Sequence, residues 1–244
     1  MARRRWFDEA RLAVMFLTRL PVGRLSDPVP DLAQVRWAFP LVGLIVGAMV
    51  AGGWVVLGAL GFAPLLAAAL ALAAQVMITG ALHFDGLADT ADGLGGGRDR
   101  AHVLQIMRDS RLGSYGAVAL GLCALIWVLA LADTAHGGLA LISVAVASRL
   151  AMLVVLVELP AAREDGLGQS AGGSRRPYLL GAVLSVALMS CFGWLGLAAA
   201  LAMGTVSLFV ARRARRRIGG QTGDICGATQ LLSETAGLAI LSLA

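Results

Sequence analysis

The sequence predicts an all-α fold, a polytopic integral membrane helix bundle with about six to seven transmembrane helices, and three observations carry that prediction. Of the 244 residues, 58% are hydrophobic and 14% charged, with a mean hydropathy of +0.80; a soluble domain carries roughly 25% charged residues. Apolar stretches near the length of about 20 residues that crosses hydrocarbon fall at 39–62, 64–82, 115–132, 138–157, 178–210 and 228–243. The basic residues, finally, gather in segments between alternate stretches. Helices rather than strands are expected because a helix satisfies its own backbone polar groups and leaves no edge to close.

Taken in order, residues 1–38 form an N-terminal segment whose start, MARRRWFDEARLAVMFLTRLP, reads as an amphipathic interfacial helix. Arg4, Asp8, Arg11 and Arg19 share a wet side while Phe7, Leu12, Met15 and Phe16 face the membrane surface. Its apolar part is interrupted by Arg19 and lacks a small-residue cleavage site, so no cleavable signal peptide is expected. The stretch at 178–210 is too long for one crossing. It divides near Gly193 and Trp194 into two short helices, with a single tilted helix or a re-entrant pair as alternatives.

All 20 basic residues are arginine. They lie in the N-terminal segment (Arg3 to Arg36), the 83–114 loop (Arg98, Arg100, Arg108, Arg111), the 159–177 loop (Arg163, Arg175, Arg176) and the run Arg212 to Arg217, with Arg149 alone inside a span. The opposite turns carry only Asp133. Basic loops stay in the cytoplasm, which places the polar loops and the N terminus there. The pI near 10 therefore reflects topology and contact with anionic membrane lipid, and no nucleic-acid partner is expected. Cys123 and Cys191 lie in apolar spans and read as packing residues; with Cys226 they form no CxxC and predict no disulfide. No repeat or linker divides residues 1–244, so one membrane-embedded domain is expected. Whether it forms a homo-oligomer is left open.

The chemistry-bearing stretch is ALHFDGLADTADGLGGGRDR, residues 81–100. Asp85, Asp89 and Asp92, spaced four and three apart, share one helical face, and that helix is expected to continue from the apolar run ending near Leu82. Like charges so placed repel by a few tenths of a kcal/mol each in water and more beside hydrocarbon. A divalent cation compensates them, and an all-carboxylate set favours Mg²⁺ or Mn²⁺ over Zn²⁺. The small residues Gly86, Ala88, Ala91 and Gly93 leave room for a bulky substrate or another backbone. Downstream, MRDSRLGSYG sets Arg108 and Arg111 around Asp109 and Ser110, ahead of Ser114. Mg²⁺ commonly takes phosphate oxygens and arginine binds phosphate in bidentate fashion, so the pattern points to a diphosphate site. The alternative is an acidic segment whose arginines simply pair with its aspartates, Asp99 with Arg98 and Arg100 included.

These residues resemble a known family. HFDGLADTADGLGGG followed by MRDSRLGSYG is similar to the signature of the cobalamin synthases, the adenosylcobinamide-GDP ribazoletransferase family of the bacterial inner membrane. FPLVGLIVG (39–47), SRL (148–150), PAAREDGLG (160–168) and GGQTGDICGA (219–228) occur in that family's order and approximate spacing, so the resemblance covers nearly the whole chain. Many members carry an acid where Phe84 follows His83, so no catalytic role is assigned to Phe84.

The resemblance implies a Mg²⁺-dependent exchange at a diphosphate. α-Ribazole, or its 5′-phosphate, attacks the phosphorus attached to adenosylcobinamide, GMP leaves, and adenosylcobalamin or its phosphate results. Asp85, Asp89 and Asp92 are then expected to hold the metal, with Asp109 or Asp224 as a further ligand or the base, and Arg108 and Arg111 on the diphosphate near Ser114. DTADG also shares a DxxDG with the CDP-alcohol phosphotransferases, a chemical analogy only. Arg149 is expected to face a polar cavity or an acidic partner and to serve the substrate or metal site, with snorkelling as the alternative; Asp224 is expected to serve the site or cap its helix, and Arg163, Glu164 and Asp165 to line a substrate mouth or form a solvated turn. His83 is a candidate neighbour of the metal; His102 and His136 read as surface residues. Two other classes stay open: a divalent-ion carrier, whose acids would lie nearer the midplane, and a structural membrane subunit, which leaves the charge constellation unexplained.

Overall fold

The computed structural model describes residues 2–163 and 178–243. Helix α1 (Ala2–Leu17) precedes a short helix α2 (Leu32–Val35), which Asp31 caps by accepting from the Ala33 N–H and which runs through a 3₁₀ turn at Arg36–Ala38 into α3 (Phe39–Ala59). Then follow α4 (Pro64–Thr79), α5 (Leu82–Gly96), α6 (Arg100–Ile106), α7 (Ser114–Asp133), α8 (Gly137–Glu158), α9 (Leu179–Ser190), α10 (Gly193–Ile218) and α11 (Gly223–Leu241). Among the described residues the only β feature is an isolated bridge between Ala161 and Gln221, which ties the end of α8 to the start of α11.

The protein is a multi-pass helical membrane protein, as its composition predicts. Four segments have the length and apolarity for a crossing: Leu32–Ala59, Ser114–Asp133, Gly137–Glu158 and Gly193–Ile218. Helices α4 and α5 supply a fifth if their bent pair is counted as one. The expected division of 178–210 is present, at Cys191–Phe192. The difference from six or seven lies in α9, with 12 residues, and in α11, which other helices surround. α11 packs on α5, α7, α8 and α10 and buries Thr229, Gln230, Ser233, Glu234 and Thr235, polar groups that hydrocarbon would not accept.

Close helix contacts rest on glycine. Gly43 and Gly47, four apart on α3, face α8 tightly: a Cβ on Gly43 would collide with the Ala145 carbonyl oxygen, and one on Gly47 would stand 2.9 Å from the Ile142 Cα. This is the small-xxx-small pattern of packed membrane helices. The helix bearing the aspartates does not prolong α4. Gly80 (φ 61°) and Ala81 (φ 60°) both adopt the left-handed conformation, and α5 leaves at 91° to α4. We read α5, with its three acids, as lying outside the crossing segments. The expected 83–114 loop is thus mostly helical, α5 and α6 joined by a glycine turn, with Asp99 capping α6 through the His102 N–H.

Helix α1 presents Phe7 and Met15 outward as expected, but Asp8 is buried and Phe16 turns inward to stack on Phe39 at 6.1 Å. The reason is local: Asp8 pairs with Arg11 at 3.7 Å and its neighbour Glu9 accepts from the Trp37 indole N–H at 2.8 Å, so α1 docks on the α2–α3 junction through its acids. Cys123 is buried; Cys191 sits exposed at the α9–α10 turn instead of packing inside.

The glycine of DGLAD is explained by α11. A Cβ on Gly86 would stand 2.9 Å from the Asp224 carbonyl oxygen and 3.2 Å from the Gly227 Cα, and Gly93 gives similar room to Met107. Of the two uses expected for these small residues, close approach of another chain segment is the one seen. Gly86→Val is therefore expected to wedge α5 from α11, costing about 1–3 kcal/mol by overpacking, visible as a lower melting temperature in detergent; an unchanged melting temperature would contradict the packing described.

Candidate active site

Helix α5 sets Asp85, Asp89 and Asp92 along one side, from exposed through half-buried to 9% exposed. The close α5–α11 crossing at Gly86 and Gly227 brings the first turn of α11, and with it Asp224, to the same side. Thr222 caps α11 through the Ile225 N–H and donates its hydroxyl to Asp224 Oδ2 at 3.1 Å. Arg163, just beyond α8, reaches Asp224 at 3.7 Å and donates to the Leu104 carbonyl. Asp89 stands at the centre of this field. Partial burial raises its carboxyl from the ordinary 3.8 to about 7, with the charges of Asp85, Asp224 and Asp92 adding to the rise and Arg163 opposing it. Burial likewise raises Asp224, against the pull of Arg163 and the Thr222 hydrogen bond.

Among the described residues, no three His, Cys, Asp or Glu side chains converge tightly enough to hold one ion. Asp92 also braces a neighbouring helix. Its Oδ2 accepts from Gly113 N–H and its Oδ1 from Gly116 N–H, both at 2.8 Å. It thus caps α7 from outside, satisfying two of the orphan donors at that helix start. Ser114, the first residue of α7, is exposed beside this cap.

The MRDSRLG arginines are placed differently from the acids. Arg111 grips Asp109 through Nε at 3.0 Å to both carboxylate oxygens and Nη2 at 2.6 Å to Oδ2, which holds the Asp109 carboxyl below the usual range. Arg108 is exposed nearby. The Arg108–Arg111 segment thus forms an exposed turn, and among the described residues Arg163 is an arginine that acts on the aspartate cluster. Arg100 clasps the same end of the bundle, donating to the Ile218 and Ala162 carbonyls, both at 2.9 Å. Glu164, Asp165, Arg175 and Arg176 lie outside the described residues.

His83 is 3% exposed, and its Nε2 has no hydrogen-bond partner. Burial, with Arg149 adding to it, holds its imidazole well below the ordinary value, so it is neutral. Arg149 finds the acidic partner its position demands: fully buried, it faces Glu234 at 3.7 Å and donates to the Ala145 carbonyl at 3.0 Å. Glu234 in turn accepts from Gln75 (2.5 Å), Trp127 (3.1 Å), Ser148 (3.2 Å) and Gln230 (2.6 Å). This network joins α4, α7, α8 and α11, and of its members only Arg149 stands out in the sequence. An acid inside an apolar run, Glu234 in 228–243, is the signal that points to it.

Next to Asp85 and Asp224 a cavity of about 190 Å³ opens between α1, the α2–α3 junction and the starts of α5 and α11. Its walls are mainly apolar, with His83 and Arg36 among the lining residues.

The crowding of the acids has a consequence for pH. Because the folded carboxyl of Asp89 lies above its unfolded value, the folded state binds more protons between pH about 4 and about 7, so stability falls as pH rises through that window and levels off above it. Chelator-treated protein is expected to melt at lower temperature at pH 8 than at pH 5, with Asp89→Asn flattening the dependence. A wild-type melting temperature constant over this range would refute the crowding.

Fold and site together define a helical membrane protein that gathers carboxylates and an arginine where α5 meets the first turn of α11. A model of the family described as cobalamin-5-phosphate synthase matches residues 9–242, and the chain belongs to that family. Curated proteins named adenosylcobinamide-GDP ribazoletransferase are similar along nearly its whole length. That of Sinorhizobium medicae is 43% identical over 257 residues, 99% of this chain and 98% of the relative. Those of Bradyrhizobium diazoefficiens and Mesorhizobium japonicum are each 44% identical, over 93% of this chain and 90% of the relative, and over 100% and 96%. No solved structure matches.

Proposed function

We propose that this chain transfers the phosphocobinamide part of adenosylcobinamide-GDP to α-ribazole or its 5′-phosphate, releasing GMP, at the cytoplasmic face of the bacterial inner membrane. The observation that carries this reading is the carboxylate field around Asp89, in a chain so similar to proteins named for that transfer. The segregation of arginine to one set of loops supports the cytoplasmic placement.

Mg²⁺ fits the donor set: it is usually held by one or two carboxylates with substrate phosphates and water completing its shell, which suits acids that crowd without converging into a cage. Asp85 and Asp89 would hold it, with the unused lone pairs of Asp92 at the inner end. The ion supplies charge neutralisation for the diphosphate. The rest is done by the chain. Arg163 and the open turn of Arg108 and Arg111 attract and orient the phosphates. Asp224 takes the proton from a free ribose hydroxyl, one that α-ribazole and its 5′-phosphate both carry, as that oxygen bonds to the cobinamide-linked phosphorus. The bond from that phosphorus to the bridging oxygen breaks, and GMP departs with the electron pair.

The test is GMP release and cobalamin formation by purified protein given adenosylcobinamide-GDP, α-ribazole and Mg²⁺. Both are expected, and EDTA is expected to abolish them; folded protein that releases no GMP with either acceptor would overturn the proposal.

A further inference from the structure

The cavity beside Asp85 and Asp224 has a size, a lining and a position that together select one part of one substrate. At about 190 Å³ it is smaller than the roughly 300–1,000 Å³ of pockets that enclose drug-sized ligands, so a corrin ring cannot enter; a single bicyclic base can. Its walls include Phe16, Phe39, Met152 and Leu156, with the Phe16 and Phe39 rings 6.1 Å apart and inclined by 20°. Guanine, the base on the donor, presents a long hydrogen-bonding edge that an apolar wall would leave unpaired, at the penalty of a desolvated polar group. The base of ribazole, a dimethylbenzimidazole, keeps one ring nitrogen as its acceptor and is otherwise hydrocarbon. Two polar side chains more than nine-tenths buried line the cavity, Arg36 and His83, and His83 Nε2 lacks a partner.

Resting on the transferase reading above, we propose that this cavity is the acceptor subsite: it takes the dimethylbenzimidazole of ribazole between α1, α3 and α8. The sugar then projects a free ribose hydroxyl toward Asp224, which also lines the cavity. His83 offers its unpartnered nitrogen to the free ring nitrogen of the base, and Phe16 and Phe39 supply the aromatic wall. The N-terminal helix is thereby part of the substrate site as well as a membrane-surface element.

The experiment measures KM for each substrate separately in Leu156→Trp, which fills the cavity from α8, and in Met152→Ala, which empties part of its wall. Expected is a rise of about tenfold or more in KM for ribazole in Leu156→Trp and a smaller rise in Met152→Ala, with KM for adenosylcobinamide-GDP within about twofold of wild type in both. With wild-type enzyme, the riboside of unmethylated benzimidazole should bind about tenfold more weakly, the effect of two unburied methyl groups. A rise confined to the donor's KM, or an acceptor KM unmoved in both variants, overturns the assignment. Absence of GMP release by wild type is instead a failure of the transferase reading. The cavity then answers to equilibrium dialysis with ribazole alone: saturable binding weakened by either variant supports it, and no binding by wild type overturns it.

Discussion

Asp89→Asn is expected to lower GMP release by about two orders of magnitude or more, the scale on which loss of one charge-stabilising group acts in comparable sites, while the protein stays folded and becomes more resistant to heat at neutral pH without metal. The two effects have one cause. Asp89 is the carboxyl on which Asp85, Asp92 and Asp224 all act, so neutralising it relieves repulsion among the acids and removes the charge that a cation and a diphosphate require. The measurements are GMP release at saturating substrate and the melting temperature in chelator and in Mg²⁺. Wild type should gain stability from Mg²⁺ and the variant should gain little. A variant that keeps wild-type turnover would show that the cluster is not where the chemistry occurs.

The second large effect concerns Glu234. Replacing it with alanine leaves the guanidinium of Arg149 buried without its counter-charge and strips an acceptor from Gln75, Trp127, Ser148 and Gln230. Breaking a buried pair from one side costs about 3–5 kcal/mol, enough to reduce folded yield in detergent and lower the melting temperature steeply. Combining Glu234→Gln with Arg149→Met removes both charges and keeps part of the network, so the double variant is expected to be more stable than Glu234→Ala. If it is less stable, the ion pair is not what makes Glu234 indispensable to the fold.

The residues made some of this legible and concealed the rest for physical reasons. Composition and arginine placement sufficed for a membrane bundle, and the spacing of Asp85, Asp89 and Asp92 sufficed for a shared face, because both follow from local periodicity. The 91° turn between α4 and α5 was hidden: one of its two left-handed residues is Ala81, whose conformation no local rule favours. Asp224 could be suspected as a cap or site residue, but its nearness to Asp89 depends on Gly86 meeting Gly227, far along the chain. Arg163 reads as a substrate-mouth or solvated-turn residue, and its place beside Asp224 follows only from the packing of α8 on α11. Arg111 looks like a phosphate ligand by composition, and in the fold its first partner is Asp109.

Asp92 joins what are otherwise two separate parts of the molecule. The same carboxylate that closes the inner end of the acid cluster also holds the first turn of α7, a helix long and apolar enough to cross the bilayer. Any charge arriving at the cluster competes for electron density that Gly113 and Gly116 share. Events among the phosphates are thereby felt at the root of a membrane-spanning helix, through one side chain and two backbone amides.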